Sequence, residues 1–157
     1  MSIETLEGIL AEHPFFQGME KAHLDTLAGC ARNVTFEAGQ FLFQTGQPAD
    51  NFFLVRHGRV AVQTVSPGRG ALVIETASDG DVLGWSWLFP PYRCHFDARA
   101  TSFVRALTLD GKCLRGKCDQ DAALAADLMR RFTGVVVQRL EATQMQLLDL
   151  YGDSPRR

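Results

Sequence analysis

Residues 80 to 100 read GDVLGWSWLFPPYRCHFDARA, with two tryptophans, adjacent prolines, a cysteine and a histidine between a glycine-rich start and an alternating finish. The chemistry these types suit is recognition. Trp85, Trp87, Phe89, Pro90, Pro91 and Tyr92 either pack as an aromatic plug, form a surface patch, or stack a flat or apolar ligand. Arg93 and His95 can supply charge, the imidazole in a pH-dependent way. Catalytic patterns are missing: there is no G-x-S-x-G, P-loop, H-E-x-x-H or dinucleotide fingerprint, and no paired-carboxylate or Cys/His arrangement stands out. The expectation is therefore a binding protein and not an enzyme. Cys30, Cys94, Cys113 and Cys118 form no C-x-x-C pair, and Cys113 and Cys118 alone lie close in sequence, so free thiols and no metal or iron-sulfur centre are expected. His13, His23 and His57 fall at a turn, in a helical stretch and beside a hairpin glycine, which reads as structural or solvent-facing.

The elements that must position these residues follow from periodicity. Ser2 is a candidate N-cap before IETLEGILAEH, where Ile3, Leu6, Ile9 and Leu10 recur at helical spacing. His13-Pro14 interrupts that helix, and Leu24, Leu27 and Ala28 predict a second one ending near 29 to 31. From Val34 the period shortens: VTFEAGQFLFQ, NFFLVRHGRVAVQTV, ALVIETA and FDARATSFVRALTL are β-type runs separated by turn signals at AGQ, TGQPAD, HGR, SPGRG and SDGD. After Asp110 the pattern reverts, and one long helix is predicted from about 122 to 151, with an irregularity near Gly134. A single domain over 1–157 results, with N-terminal helices in 1–32, an antiparallel β-roll of the sandwich or jelly-roll kind in 34–110, and C-terminal helices in 111–152.

The totals narrow the setting. The chain has 157 residues, 46% hydrophobic and 22% charged, with a formal net charge of -2, which is globular composition without the basic field that draws proteins to nucleic acid. The first residues lack a basic segment followed by an apolar run, and no window reaches bilayer-spanning length. A cytoplasmic protein that needs no membrane is expected.

Glycine placement sharpens the architecture. FEAGQFLFQTGQPADNFFLVRHGRVAV resembles the front half of cyclic nucleotide-binding domains of the catabolite activator (Crp/Fnr) type, with Phe36, Gly39, Phe43, Gly46, Ala49, Phe52, Phe53, Val55, Gly58 and Val60 on the family pattern. GDVLGWSWLF resembles that family's phosphate-binding cassette, here placed at 80–96. The resemblance implies a cyclic phosphate at the start of a short helix, where free N–H groups favour an anion, and it puts Gly84, Trp85 and Ser86 at that start. Two departures follow. Trp85 stands where the family has an acid for the ribose hydroxyls, and indole donates one hydrogen bond but accepts none. Cys94, His95 and Phe96 stand where the family has Arg-Ser/Thr-Ala, so the phosphate-clamping arginine is missing unless Arg93 or His95 replaces it. Arg99 alternates with Ala98 and Ala100 and should face away.

The long helix carries two stripes. Leu124, Leu128, Phe132 and Val135 should pack on the β-roll; Met129, Val136, Thr143 and Leu150 with Thr133, Leu140 and Leu147 form a coiled-coil seam that implies a homodimer. Thr143 matches the position from which catabolite-activator proteins contact the adenine base, although its hydroxyl has a simpler partner in the carbonyl four residues back. The family continues past this helix into a helix-turn-helix, while this sequence ends at Arg157, so no recognition of duplex DNA by the chain alone is expected. The function expected is a stand-alone sensor that takes a cyclic nucleotide, weakly, or another small anionic or aromatic molecule, and signals through a dimer or a partner protein. The competing expectation is a degenerate domain that serves as a protein-interaction module without ligand.

Overall fold

The computed structural model describes residues 5–152. Ser2, expected as the first cap, lies outside them; Thr5 caps helix α1 (Leu6–Glu12), its hydroxyl accepting the Gly8 N–H at 3.1 Å. His13 ends α1 and starts the 3₁₀ turn Pro14–Phe16, where the Phe15 N–H donates to Nδ1 and Nε2 lies 3.2 Å from the Val55 carbonyl. Those two contacts fix the tautomer with the proton on Nε2. Burial pushes this imidazole's pKa down, which identifies His13 as a neutral structural residue. Helix α2 (Lys21–Ala28) buries His23, Leu24, Leu27 and Ala28 and ends at Gly29.

Eight antiparallel strands follow, three residues earlier than the predicted start. They are β1 (Ala31–Phe36), β2 (Phe41–Phe43), β3 (Asn51–His57), β4 (Val60–Ser66), β5 (Gly70–Ala77), β6 (Val82–Leu83), β7 (Asp97–Ala100) and β8 (Val104–Asp110). They form two four-stranded sheets, ordered β1-β8-β3-β6 and β2-β7-β4-β5. Strand β3 shows why its residues 52–55 are apolar without interruption: Phe52 and Leu54 point to the helices, while Phe53 and Val55 point between the sheets. The inner core holds small and β-branched residues such as Val60, Val62, Ala98, Ala100, Val104 and Ala106. At Gly58, with φ of +108°, a side-chain carbon would run into the Phe103 carbonyl, so the β3–β4 turn can only be glycine.

Asp110 caps helix α3 (Gly111–Gln120) by accepting the Lys112 and Cys113 N–H groups, and Asp121 does the same for α4 (Ala122–Gly152) through Ala123 and Leu124. The long helix runs unbroken through Gly134, where an irregularity was expected. Its first half buries Leu124, Leu128 and Phe132, while Val136, Leu140 and Leu147 of the second stripe are exposed.

The thiol expectation is corrected. Cys30 and Cys113 are joined by a disulfide, and only Cys94 and Cys118 are free. Pairing of Ala31 with Leu109 brings the end of α2 beside the start of α3, so topology joins two cysteines 83 residues apart that no spacing rule connects.

Candidate ligand-binding cassette

The segment from Gly80 to Phe96 leaves the sheet at β6, makes one 3₁₀ turn at Trp85–Leu88 and returns along the 46–49 loop. Gly84 opens the turn in the left-handed region at φ of +90°. A side chain there would meet the Asn51 carbonyl at 3.1 Å and the Phe43 ring at 3.6 Å, so the backbone passes close to the inner end of the roll.

The two tryptophans of the turn part company. Trp87 is 1% exposed, stacks on Phe52 at 5.4 Å and meets Phe132 of α4 edge-on at 5.6 Å. Its Nε1–H is buried without a hydrogen-bond partner, a cost offset by large apolar contact. Trp85 is half-buried and lies 6.3 Å from the exposed His95 ring at a tilt of 31°. Ser86 sits half-buried between them.

The return strand is held by backbone bonds. Ala49 N–H donates to the Tyr92 carbonyl at 2.7 Å, Cys94 N–H to Gln47 at 2.9 Å, and Gly46 N–H to Cys94 at 2.8 Å. Arg93 spends a guanidinium N–H on the Gly46 carbonyl at 3.0 Å. Cys94 is buried, and its thiol pKa is pushed up by burial first and by Asp50 second, so it is no nucleophile at neutral pH. Arg99 points outward as its alternation requires, bonding the Gly39 carbonyl and covering the Phe41 ring.

Among the sequence candidates, Gly84, Trp85, Ser86 and His95 thus gather at one corner, while Arg93 and Cys94 engage the 46–48 loop. Thr143 stands apart on α4, and its hydroxyl donates to the Arg139 carbonyl at 2.8 Å, the backbone partner expected of it. It lines a different space, a groove of about 480 Å³ between β5, the 80–82 segment and α4.

Sequence reasoning missed the polar residues of that groove. Arg139 pairs with Glu75 of β5 at 3.1 Å and donates to the Val82 carbonyl at the head of the cassette. Arg131 bonds Asp127 and the carbonyls of Phe15 and Gln17. Eight residues separate the two arginines, close to two helical turns beside the buried stripe, and that spacing was the available signal.

Arg115 of α3 completes the frame, donating to the Trp87 carbonyl at 2.7 Å with its guanidinium 4.5 Å from the Tyr92 ring centre. The cassette is therefore gripped from two helices. The family model of the cyclic nucleotide-binding domain matches residues 33–121, which takes in every strand from β2 to β8 and the greater part of β1. The chain belongs to the cyclic nucleotide-binding domain family.

Relatives and neighbours agree with that membership. The CRP-like cAMP-activated global transcriptional regulator of Mycobacterium tuberculosis is 27% identical over 153 residues, covering 97% of this chain and 66% of the regulator. This cyclic nucleotide-binding domain thus spans just under two thirds of that relative's length. A solved structure from Geobacter metallireducens, assigned to cyclic nucleotide-binding proteins, matches with a TM-score of 0.78 at 27% identity, covering 88% of this chain and 99% of the other. A cyclic nucleotide-binding domain from Methylobacillus flagellatus shares the fold, with a TM-score of 0.77 at 18% identity over 93% of this chain and 82% of the other. No helix among the described residues is long and apolar enough to cross a membrane.

Proposed function

We propose that this chain is a non-enzymatic regulatory sensor whose cassette takes a small flat or anionic ligand and reports its state through α4 to a second copy of the chain. The observation that carries this reading is the double grip. Arg115 of α3 and Arg139 of α4 each hold a cassette carbonyl, and the Trp87 ring is wedged against Phe132. The turn cannot shift without disturbing both helices, because packed interiors respond by repacking and not by gradual yielding.

Cyclic AMP would bind weakly. With Trp85 in place of the ribose acceptor and Arg93 committed to the Gly46 carbonyl, sugar hydroxyls and phosphate charge are left under-compensated, each at a cost of about 1–3 kcal/mol. Trp85 and His95 offer a face suited to a flatter ligand. A second reading, an interaction module without ligand, is favoured by the aromatic filling at the inner end of the roll, where Phe43 stacks on Phe53 and reaches Gly84.

A thermal-shift screen with cyclic nucleotides, nucleotides and aromatic acids separates the two, since a native-state ligand raises the melting midpoint with concentration. No shift with any of them supports the interaction module. The dimer is tested by sedimentation: Leu147 is 49% exposed on the second stripe, and Leu147→Asp should convert dimer to monomer. A monomeric unmodified chain, or a dimer unchanged by the substitution, removes that part of the proposal.

A further inference from the structure

A second cleft, of about 470 Å³, opens where β1 and β3 meet the start of α3. Cys30 and Cys113 form part of its wall, with Arg32, Asp50, Asp110 and Lys112 around them. Thr108, 3% exposed, also lines this space, and its buried hydroxyl has no hydrogen-bond partner. Two features make the disulfide more than a staple. Cleft access exposes it to small molecules in solution, and Cys113 lies two residues before Arg115, which holds the Trp87 carbonyl. Gly111, at the head of the same helix, is so close to the Asp50 carbonyl and Trp87 Cβ that a side chain there would meet them at 3.0 and 3.1 Å. The bond therefore anchors the turn of α3 that touches the cassette.

We infer that Cys30–Cys113 is a thiol-exchange site, opened through this cleft by a small cysteinyl peptide, and that its redox state sets how firmly α3 grips the cassette. The cleft presents cations and carboxylates side by side, which suits a thiol carrying both ammonium and carboxylate groups. Asp110 keeps one oxygen on the Lys112 and Cys113 N–H groups. In the first step the peptide thiolate attacks Sγ of Cys113, the half-buried residue of the pair, while Cys30 is buried. A mixed disulfide forms, the Cys30–Cys113 bond breaks, and Cys30 leaves as a thiolate that takes a proton. A second peptide thiolate attacks the peptide sulfur of that mixed disulfide and frees Cys113. The net result is a protein dithiol and one peptide disulfide from two peptide thiols, and the reverse sequence closes the bond. In a reducing compartment the dithiol form would accumulate, with α3 released from α2.

The inference goes beyond the ligand proposal and is tested without a ligand. The full chain carrying Trp85→Phe, so that emission reports Trp87, is equilibrated with mixtures of reduced and oxidised glutathione, acid-quenched, alkylated and mapped by mass. Expected are a transient glutathione adduct on Cys113, a dithiol product whose Trp87 emission shifts to longer wavelength, and a melting midpoint lower by roughly 6–16 °C for loss of a bond closing so long a loop. Adding Arg115→Ala should abolish most of the emission change while the midpoint still falls on reduction. The Cys30→Ser/Cys113→Ser double variant should match the reduced form, and chemical reduction of the native cysteines decides the matter if that variant does not fold. The inference is overturned if the folded bond resists glutathione at concentrations that reduce the urea-unfolded chain, if adducts form only on Cys118 or Cys94, or if reduction leaves Trp87 emission unchanged.

Discussion

Trp85 and Trp87 share one 3₁₀ turn and have opposite surroundings. Trp87 enters the aromatic cluster formed by Phe52 and Phe132, whereas Trp85 stays half-buried near an exposed histidine. With three residues per turn, positions two apart point in different directions, so one indole faces the helices and the other lies beside the exposed His95. The lesson is that an aromatic-rich site need not be either plug or platform. One tryptophan fixes where the turn sits, and the other keeps half of its surface open.

The sharpest way to break that comparison is to truncate both rings in turn. Trp87→Ala should cost about 3–5 kcal/mol in urea unfolding, as large core truncations do, while Trp85→Ala should cost less than about 1 kcal/mol. Similar losses would erase the distinction. Arg115→Ala comes next, with an expected loss of about 1–3 kcal/mol from the Trp87 carbonyl left unsatisfied. Arg115→Lys should recover only part of it, because an ammonium does not lie flat on the Tyr92 ring.

Trp85→Glu addresses the other ring. Restoring an acceptor for sugar hydroxyls should tighten cyclic AMP about tenfold by calorimetry with little change in stability. Low-micromolar binding by the unmodified chain, lost in Arg93→Ala, would instead reveal a relocated clamp.

The smallest effect concerns the start of the cassette, where the Val55 carbonyl accepts from both Gly80 N–H and His13. Burial holds the His13 pKa below its ordinary 6.5. Below that pH the unfolded chain takes up a proton that the folded chain refuses, so stability is flat above pH 6.5 and falls as pH drops toward the lowered native value. Melting midpoints between pH 7.5 and about 5 should show this slope, and His13→Asn should flatten it from a lower baseline.

How far the sequence went is clear from particular elements. The glycine turns and alternating strands announced the β-roll, and helix propensity placed α4 to within a residue of its observed bounds. The two stripes of α4 were also readable, since the first is buried on the roll and the second is exposed. What stayed hidden depends on contacts between distant segments. The Cys30–Cys113 bond needs β1 and β8 to pair first. The Arg139–Glu75 pair needs α4 to cross β5, and Trp87 could be assigned to the core only once Phe52 and Phe132 faced it. Side-chain type marked the cassette as divergent, but the division of labour within it belongs to tertiary structure.

The 31 residues of α4 make a rod about 46 Å long, anchored near its middle by Arg139. Thirteen residues, about 20 Å of helix, extend beyond that anchor to Gly152. Such a rod multiplies motion: pivoting it by about 10° at the anchor would sweep the far end by roughly 3 Å, comparable to the sub-turn shifts that repack helix interfaces. A displacement of the Val82 carbonyl too small to alter the β-roll would then reach the end of the helix enlarged, and the length of the rod, which continues unbroken through Gly134, fixes the gain.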